Sequence, residues 1–279
     1  MTKEARKTKS VKTITVTSGK GGVGKTNMVA NLAIALKKMG KEVMVFDADL
    51  GLSNIDVLLD LAPKYNIQHV LNGEKGLKDV IIEGPCGIKI LPASSGVQEM
   101  TELDEFQRMR LIEEFDAYDV DIDVLLIDTG AGISANVAFF CIASQEIVVV
   151  TSPEPTAMTD AYALIKVLFT RYQEKDFKVL INSARSPEDA MEVFRRLSLA
   201  AEKFLNISLD YLGYIPLDDS VREAVRVQKA VVDFYPNCSA SRQISAIAAK
   251  LNHEAAGNVK GTLQLFLGNL LGRERNAMV

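Results

Sequence analysis

The chain has 279 residues, 48% of them hydrophobic and 24% charged, with a formal net charge of −4. This is ample apolar material for one large α/β domain, and the acidic balance argues against a surface built mainly to coat nucleic acid. Cys86, Cys141 and Cys238 are odd in number and widely spaced, which speaks against a disulfide framework and for a reducing, cytoplasmic setting.

The basic opening "MTKEARKTKSVK" has no apolar stretch of the secretory type, and residues 1–12 read as a flexible tail. "TITVT" (13–17) reads as the first strand. A helix follows over 25–39, with Met28, Val29, Leu32, Leu36 and Met39 on one face and Gly40 at its end. "VMVF" (43–46), "IKIL" (88–91), "VLLI" (124–127) and "IVVV" (147–150) read as strands, the first and last two apolar on consecutive positions, as expected when both faces are covered. After a helix over 157–172 come the strand "FKVLIN" (177–182) and a helix over 187–204, entered through Ser186 as cap and Pro187 in the first turn. The strand "LDYLGYI" (209–215) and helices over 219–230 and 239–252 complete the pattern. Such alternation predicts an α/β fold with a mostly parallel sheet and helices on both faces, over a single domain of residues 13–252. "HEAAGNVKG" (253–261) reads as a linker to a final segment ending at 279. No run approaches 18 apolar residues, so no membrane-spanning helix is expected.

The stretch "TSGKGGVGKTN" (17–27) fits two templates. Gly19, Gly21 and Gly24 satisfy G-x-G-x-x-G, and Asp47 ends the second strand, as in a dinucleotide-binding oxidoreductase. Gly19 to Thr26 also satisfy G-x-x-x-x-G-K-[ST] between a strand and a helix. The first template gives Lys25 and Thr26 no role. A P-loop uses both, Lys25 on the β/γ-phosphates and the Thr26 hydroxyl on Mg²⁺. Asp128, at the carboxyl end of "VLLID", supplies the carboxylate that such a metal shell needs.

Lys20 is the second lysine of the loop, and "KGGVGKT" resembles the deviant Walker A motif of the MinD/ParA family of P-loop ATPases. The resemblance covers about residues 11–252 and implies a MinD/SIMIBI-like fold, Mg²⁺ with ATP as substrate, and an ATP-dependent homodimer. It implies that Lys20 crosses to the partner's nucleotide and joins Lys25 and Asp49 as catalytic residues. Asp49 would position the attacking water, while Asp47 would join Thr26 and Asp128 around the metal. Gly19, Lys20, Gly21, Gly22, Val23, Gly24, Lys25, Thr26 and Asn27 would bind ATP. Asn182, Ile215, Pro216 and Leu217 would do so from the adenine side.

"DADLGLSNIDVLL" and "EPTAMTDAYALIKVL" are similar to the family's flagellar-number branch (FlhG, also called FleN). That implies an ATP-bound dimer acting on a FleQ-like σ54-dependent flagellar master regulator, on the SRP-type GTPase FlhF, or on both, without sequence-specific nucleic-acid binding of its own. The expected DQAxxLR-type activator of that GTPase is absent from "MTKEARKTKSVK". Alternatives are a MinD-like cell-division regulator, a ParA-like partition ATPase and, more remotely, the NAD-binding oxidoreductase.

In "GTLQLFLGNLLGRER", Leu263, Phe266, Leu267, Leu270 and Leu271 form one apolar stripe with Arg273 and Arg275 beside it. That pattern suits either a helix on an anionic inner membrane or a final helix on the protein's own core, and the family resemblance implies the membrane. The expected location is therefore cytoplasmic and reversibly peripheral. Asp160 and Lys166 are candidate partner contacts on the helix 157–172, His69 and His253 read as surface residues, and Cys141 as a buried hydrophobe.

Overall fold

Ile14 and Val16 face one side of the first strand, and Thr13, Thr15 and Thr17 the other, with all five buried. The computed structural model describes residues 11–50, 54–93, 103–118 and 121–253. The expected amphipathic stripe from Leu263 to Leu271 and nearly all of the basic N-terminal tail lie outside the described residues.

The chain begins with β1 (Lys12–Ser18), α1 (Lys25–Lys38), β2 (Val43–Ala48), and the short helices α2 (Ile55–Leu58), α3 (Ile67–Leu71) and α4 (Leu77–Val80). It continues through β3 (Ile82–Glu83), β4 (Lys89–Leu91), α5 (Glu105–Asp116), β5 (Val124–Ala131) and α6 (Ala135–Ile142). Next come β6 (Glu146–Thr151), α7 (Pro155–Tyr172), β7 (Phe177–Ala184), α8 (Pro187–Leu205) and β8 (Asp210–Pro216). Three helices close the described chain, α9 (Asp219–Arg226), α10 (Val231–Phe234) and α11 (Ser239–His253).

The sheet has eight strands in the order β3-β4-β2-β5-β1-β6-β7-β8, parallel throughout except for the edge pair β3–β4. One face buries Ile14, Val16, Val45 and Val148 under α1 and α11. The other buries Phe46, Ile127, Val149 and Val179 under α5, α6, α7 and α8. Burial on both faces explains the unbroken apolar runs. β1 departs from that rule, because its threonine side meets polar groups of α6 and of the turn after it. The Thr15 hydroxyl lies 2.9 Å from the Phe140 carbonyl and 2.6 Å from the Ser144 hydroxyl.

The expected boundary signals operate. Gly40 follows α1 at φ +83°, and the Ser186 hydroxyl accepts the Asp189 N–H with Pro187 in the first turn of α8. The helix expected over 219–230 stops early, α9 ending at Arg226 before Gln228, whose φ of +53° lies outside the helical region, and the short α10 begins only at Val231. At the amino-terminal edge of the sheet, the buried Lys12 ammonium sits 2.6 Å from Glu146 Oε1 and 2.6 Å from the Leu251 carbonyl of α11. Among the described residues, no helix is long and apolar enough to cross a membrane.

Candidate nucleotide-binding site

The loop Gly19–Gly24 joins the carboxyl end of β1 to the amino end of α1, so the first free N–H groups and the positive end of the helix dipole face the same space. Gly24 forms the N-cap at φ +88°. A side chain there would be strained and would also collide with the Asn182 amide, which donates to the Val23 carbonyl at 2.7 Å. Gly19 is pressed for space differently, since a Cβ on it would run into the main chain of α7 at Asp160 and Ala161.

Lys25 reaches Asp128 across the floor of the site, with Nζ 2.5 Å from Oδ1 and both side chains buried. Burial pushes the Asp128 carboxyl up from its ordinary range, while Lys25 and the Thr26 hydroxyl pull it down. Its Oδ2 is buried without a hydrogen-bond partner among the described residues. A buried oxygen left in this way is costly unless a ligand supplies a positive partner. Together with the Thr26 hydroxyl, that oxygen makes a hard donor set that fits Mg²⁺.

Asp47 is the register neighbour of Asp128 on β2 and is buried beside it. Its carboxylate accepts backbone N–H groups from Asp49 at 3.1 Å and from Asn54 and Ile55 at 3.3 Å each. The carboxylate thereby fixes the segment that carries Asp49. Asp49 lies half-buried beside Gly130, near the carboxyl end of β5. Lys20 points elsewhere: its ammonium is 2.7 Å from Glu154 Oε2 and 2.9 Å from the Thr156 hydroxyl, at the start of α7.

The loop forms a wall shared by two cavities. One, of about 600 Å³, is bounded by Lys20 to Gly24, by Asn182, and by Ile215, Pro216 and Leu217. The other, of about 670 Å³, is bounded by Lys25, Thr26, Asn27 and Asp49. Thus the structure gathers nearly all of the expected site residues around one loop, while Gly19, Asp47 and Asp128 support it from behind. The sequence reading missed Asn54, Ser134 and Asn136 around the second cavity, and Val221, Arg222 and Val225 of α9 around the first. Ser134 was the one with a signal, since a serine ahead of "ANVAFF" marks a helix cap, and its hydroxyl indeed accepts the Val137 N–H. His69 caps α3 through Asn66 and His253 is exposed, both away from the cavities, and Cys141 is fully buried.

A glycine loop opening a helix beside a buried Lys–Asp pair defines a P-loop nucleotide site. The ParA family model, described as NUBPL iron-transfer P-loop NTPase, matches residues 9–252. The chain is 45% identical over 262 residues to the antiactivator FleN of Pseudomonas aeruginosa, covering 94% of each chain. It is 37% identical over 268 residues to the flagellum site-determining protein YlxH of Helicobacter pylori, covering 94% of this chain and 90% of that one. The septum site-determining protein MinD of Pyrococcus horikoshii, solved in complex with Mg-ADP, superposes with a TM-score of 0.72 at 26% identity. That superposition covers 88% of this chain and 97% of the MinD chain. The chain belongs to the ParA family of P-loop NTPases and is an ATPase of the MinD/ParA type. The loop accordingly sits with the NTPases and not with dinucleotide-binding oxidoreductases.

Proposed function

We propose that this ATPase is an ATP-dependent pairing switch that regulates flagellar number and flagellar gene expression by binding partner proteins as a dimer. The observation that carries the flagellar part is the 45% identity to FleN, which runs over 94% of both chains and so includes more than the shared nucleotide loop. The pairing part rests on the two lysines, each of which already has a carboxylate partner, Asp128 for Lys25 and Glu154 for Lys20.

Mg²⁺ held by Thr26 and Asp128 would supply charge neutralisation at the β/γ-phosphates. Lys25 exchanges Asp128 for the phosphates, a short move within the same floor. Lys20 exchanges Glu154 for the partner copy's triphosphate, acting as a cation delivered in trans. Asp49 orients the attacking water, which asks for position more than basicity. Asn182 and the Ile215–Leu217 backbone hold the adenine end. The protein works in the cytoplasm and rests reversibly on the inner membrane through the residues Leu263 to Leu271. Its partners are a FleQ-like regulator, an FlhF-like GTPase, or both.

Two measurements test this. Turnover per chain should rise with protein concentration as pairs form, and a flat profile would overturn the pairing. The Asp49→Ala protein with ATP should retain the flagellar regulator or the GTPase on a column and release it with ADP. Failure to retain either would remove the flagellar reading.

A further inference from the structure

Gln228 occupies a position that its residue type does not favour. After α9, the Lys229 N–H bonds to the Ala224 carbonyl and the Gln228 N–H to the Val225 carbonyl, both at 3.0 Å. This is the Schellman pattern, whose left-handed residue is usually glycine, yet Gln228 holds φ +53° there. A non-glycine residue in that region is uncommon, and the usual exceptions are Asn, Asp and His. The Gln228 side chain has a specific engagement: its Nε2 donates to the Val57 carbonyl at 2.6 Å, joining positions 171 residues apart.

Each end of that bond lies next to an element that borders a different cavity. α9 supplies Val221 and Val225 to the wall of the first cavity, where the adenine would lie. Val57 is in α2, a single turn whose amino end is fixed by the Asp47 carboxylate on the Asn54 and Ile55 amides. The same carboxylate holds Asp49 at the second cavity. A short helix is thus pinned at one end by the hydrolytic side and at the other by the helix that feels the base.

We propose that Gln228 is a positioning residue that reports occupation of the base cavity to the Asp49 segment, through the Val57 carbonyl and α2. Base contact with Val221 and Val225 steadies α9, and the Gln228 amide carries that steadiness to α2. A bare phosphate ligand in the same loop lacks this route. The inference rests on the loop binding a nucleotide, as proposed above.

Hydrogen exchange over residues 54–61, with ADP or pyrophosphate saturating in the presence of Mg²⁺, tests it. In the wild-type protein ADP should slow exchange about threefold more than pyrophosphate, the scale of one coupled hydrogen bond. Gln228→Gly is the informative variant, because glycine suits the left-handed position and should keep or raise Tm while deleting the amide. In that variant the ADP and pyrophosphate profiles should coincide, with ADP affinity within about twofold of wild type. A difference that survives in Gln228→Gly, or none in wild type despite ADP binding, overturns the proposal. A binding isotherm showing no ADP association would instead bring down the nucleotide reading itself.

Discussion

Two lysines separated by four residues have unlike surroundings, and substitution should separate them. Lys25 is buried against Asp128, whereas Lys20 is 36% exposed and reaches Glu154 on a neighbouring element. With the phosphates in the loop as proposed, Lys25→Ala removes their main cation and leaves the Asp128 carboxylate buried with no cation beside it. ADP affinity should fall by ~100-fold, the scale of losing a charged hydrogen bond to phosphate worth up to about 3 kcal/mol. Lys20→Ala removes only an exposed pair, worth about 0.2–1 kcal/mol, so Tm and ADP affinity should stay near wild type. Its turnover at high protein concentration should drop by ~10³-fold, the scale of a cation supplied in trans. Calorimetric binding and a turnover series check both, and equal turnover for Lys20→Ala and wild type would refute the role. Lys25 stood out from the spacing of the glycine loop, whereas Lys20 drew its role only from the family resemblance. Glu154 and Thr156 were not legible, because the residues that hold Lys20 lie more than 130 positions away and only the sheet order brings them near.

At the scale of elements, the loop and α7 touch through main chain, and side chains there have nowhere to go. Gly19→Ala would place a methyl group on the Asp160 carbonyl, an overpacking whose ordinary cost is about 1–3 kcal/mol. Tm should fall and nucleotide binding weaken together, as followed by thermal melts with and without ADP. Asp218 is a second junction, since its carboxylate accepts the Ser220 N–H of α9, the Ser239 hydroxyl and the Ala240 N–H of α11. Burial alone would raise its pKa, but these hydrogen bonds outweigh it and hold the carboxyl well below its usual range. A depressed carboxyl stabilises the fold above its unfolded pKa of about 3.9, and that contribution is lost as pH falls through the folded value. Asp218→Ala should therefore lower stability by about 1 kcal/mol at pH 7, with the gap from wild type closing toward pH 2. A gap constant with pH would refute the charge-based account. Seven of the eight strands were legible, β2, β5 and β6 from consecutive apolar residues buried on both faces and the others from short β-branched or aromatic runs. The two-residue edge strand β3 and the single-turn helices α2 and α4 are too short to express a period. The break between α9 and α10 was hidden because a glutamine stands where glycine usually marks the stop.

For the whole molecule, the central expectation concerns the C-terminal stripe from Leu263 to Leu271. As an amphipathic helix it would give weak, reversible membrane affinity, and a pair on one body would raise that by ~10²-fold or more. Sedimentation with anionic liposomes should be strong with ATP, weak with ADP, and lost in protein ending at Gly261. Equal sedimentation in both nucleotides, or no loss on shortening, would refute this coupling. The suture of Lys12 to Glu146 and to the Leu251 carbonyl gives the molecule a polarity. Those contacts hold the last turn of α11 at the amino-terminal edge of the strands, while the glycine loop lies at their carboxyl edge. Within the described residues α11 therefore ends on the side of the sheet opposite the glycine loop, so two copies meeting face to face at their loops would keep that end of α11 clear of the contact.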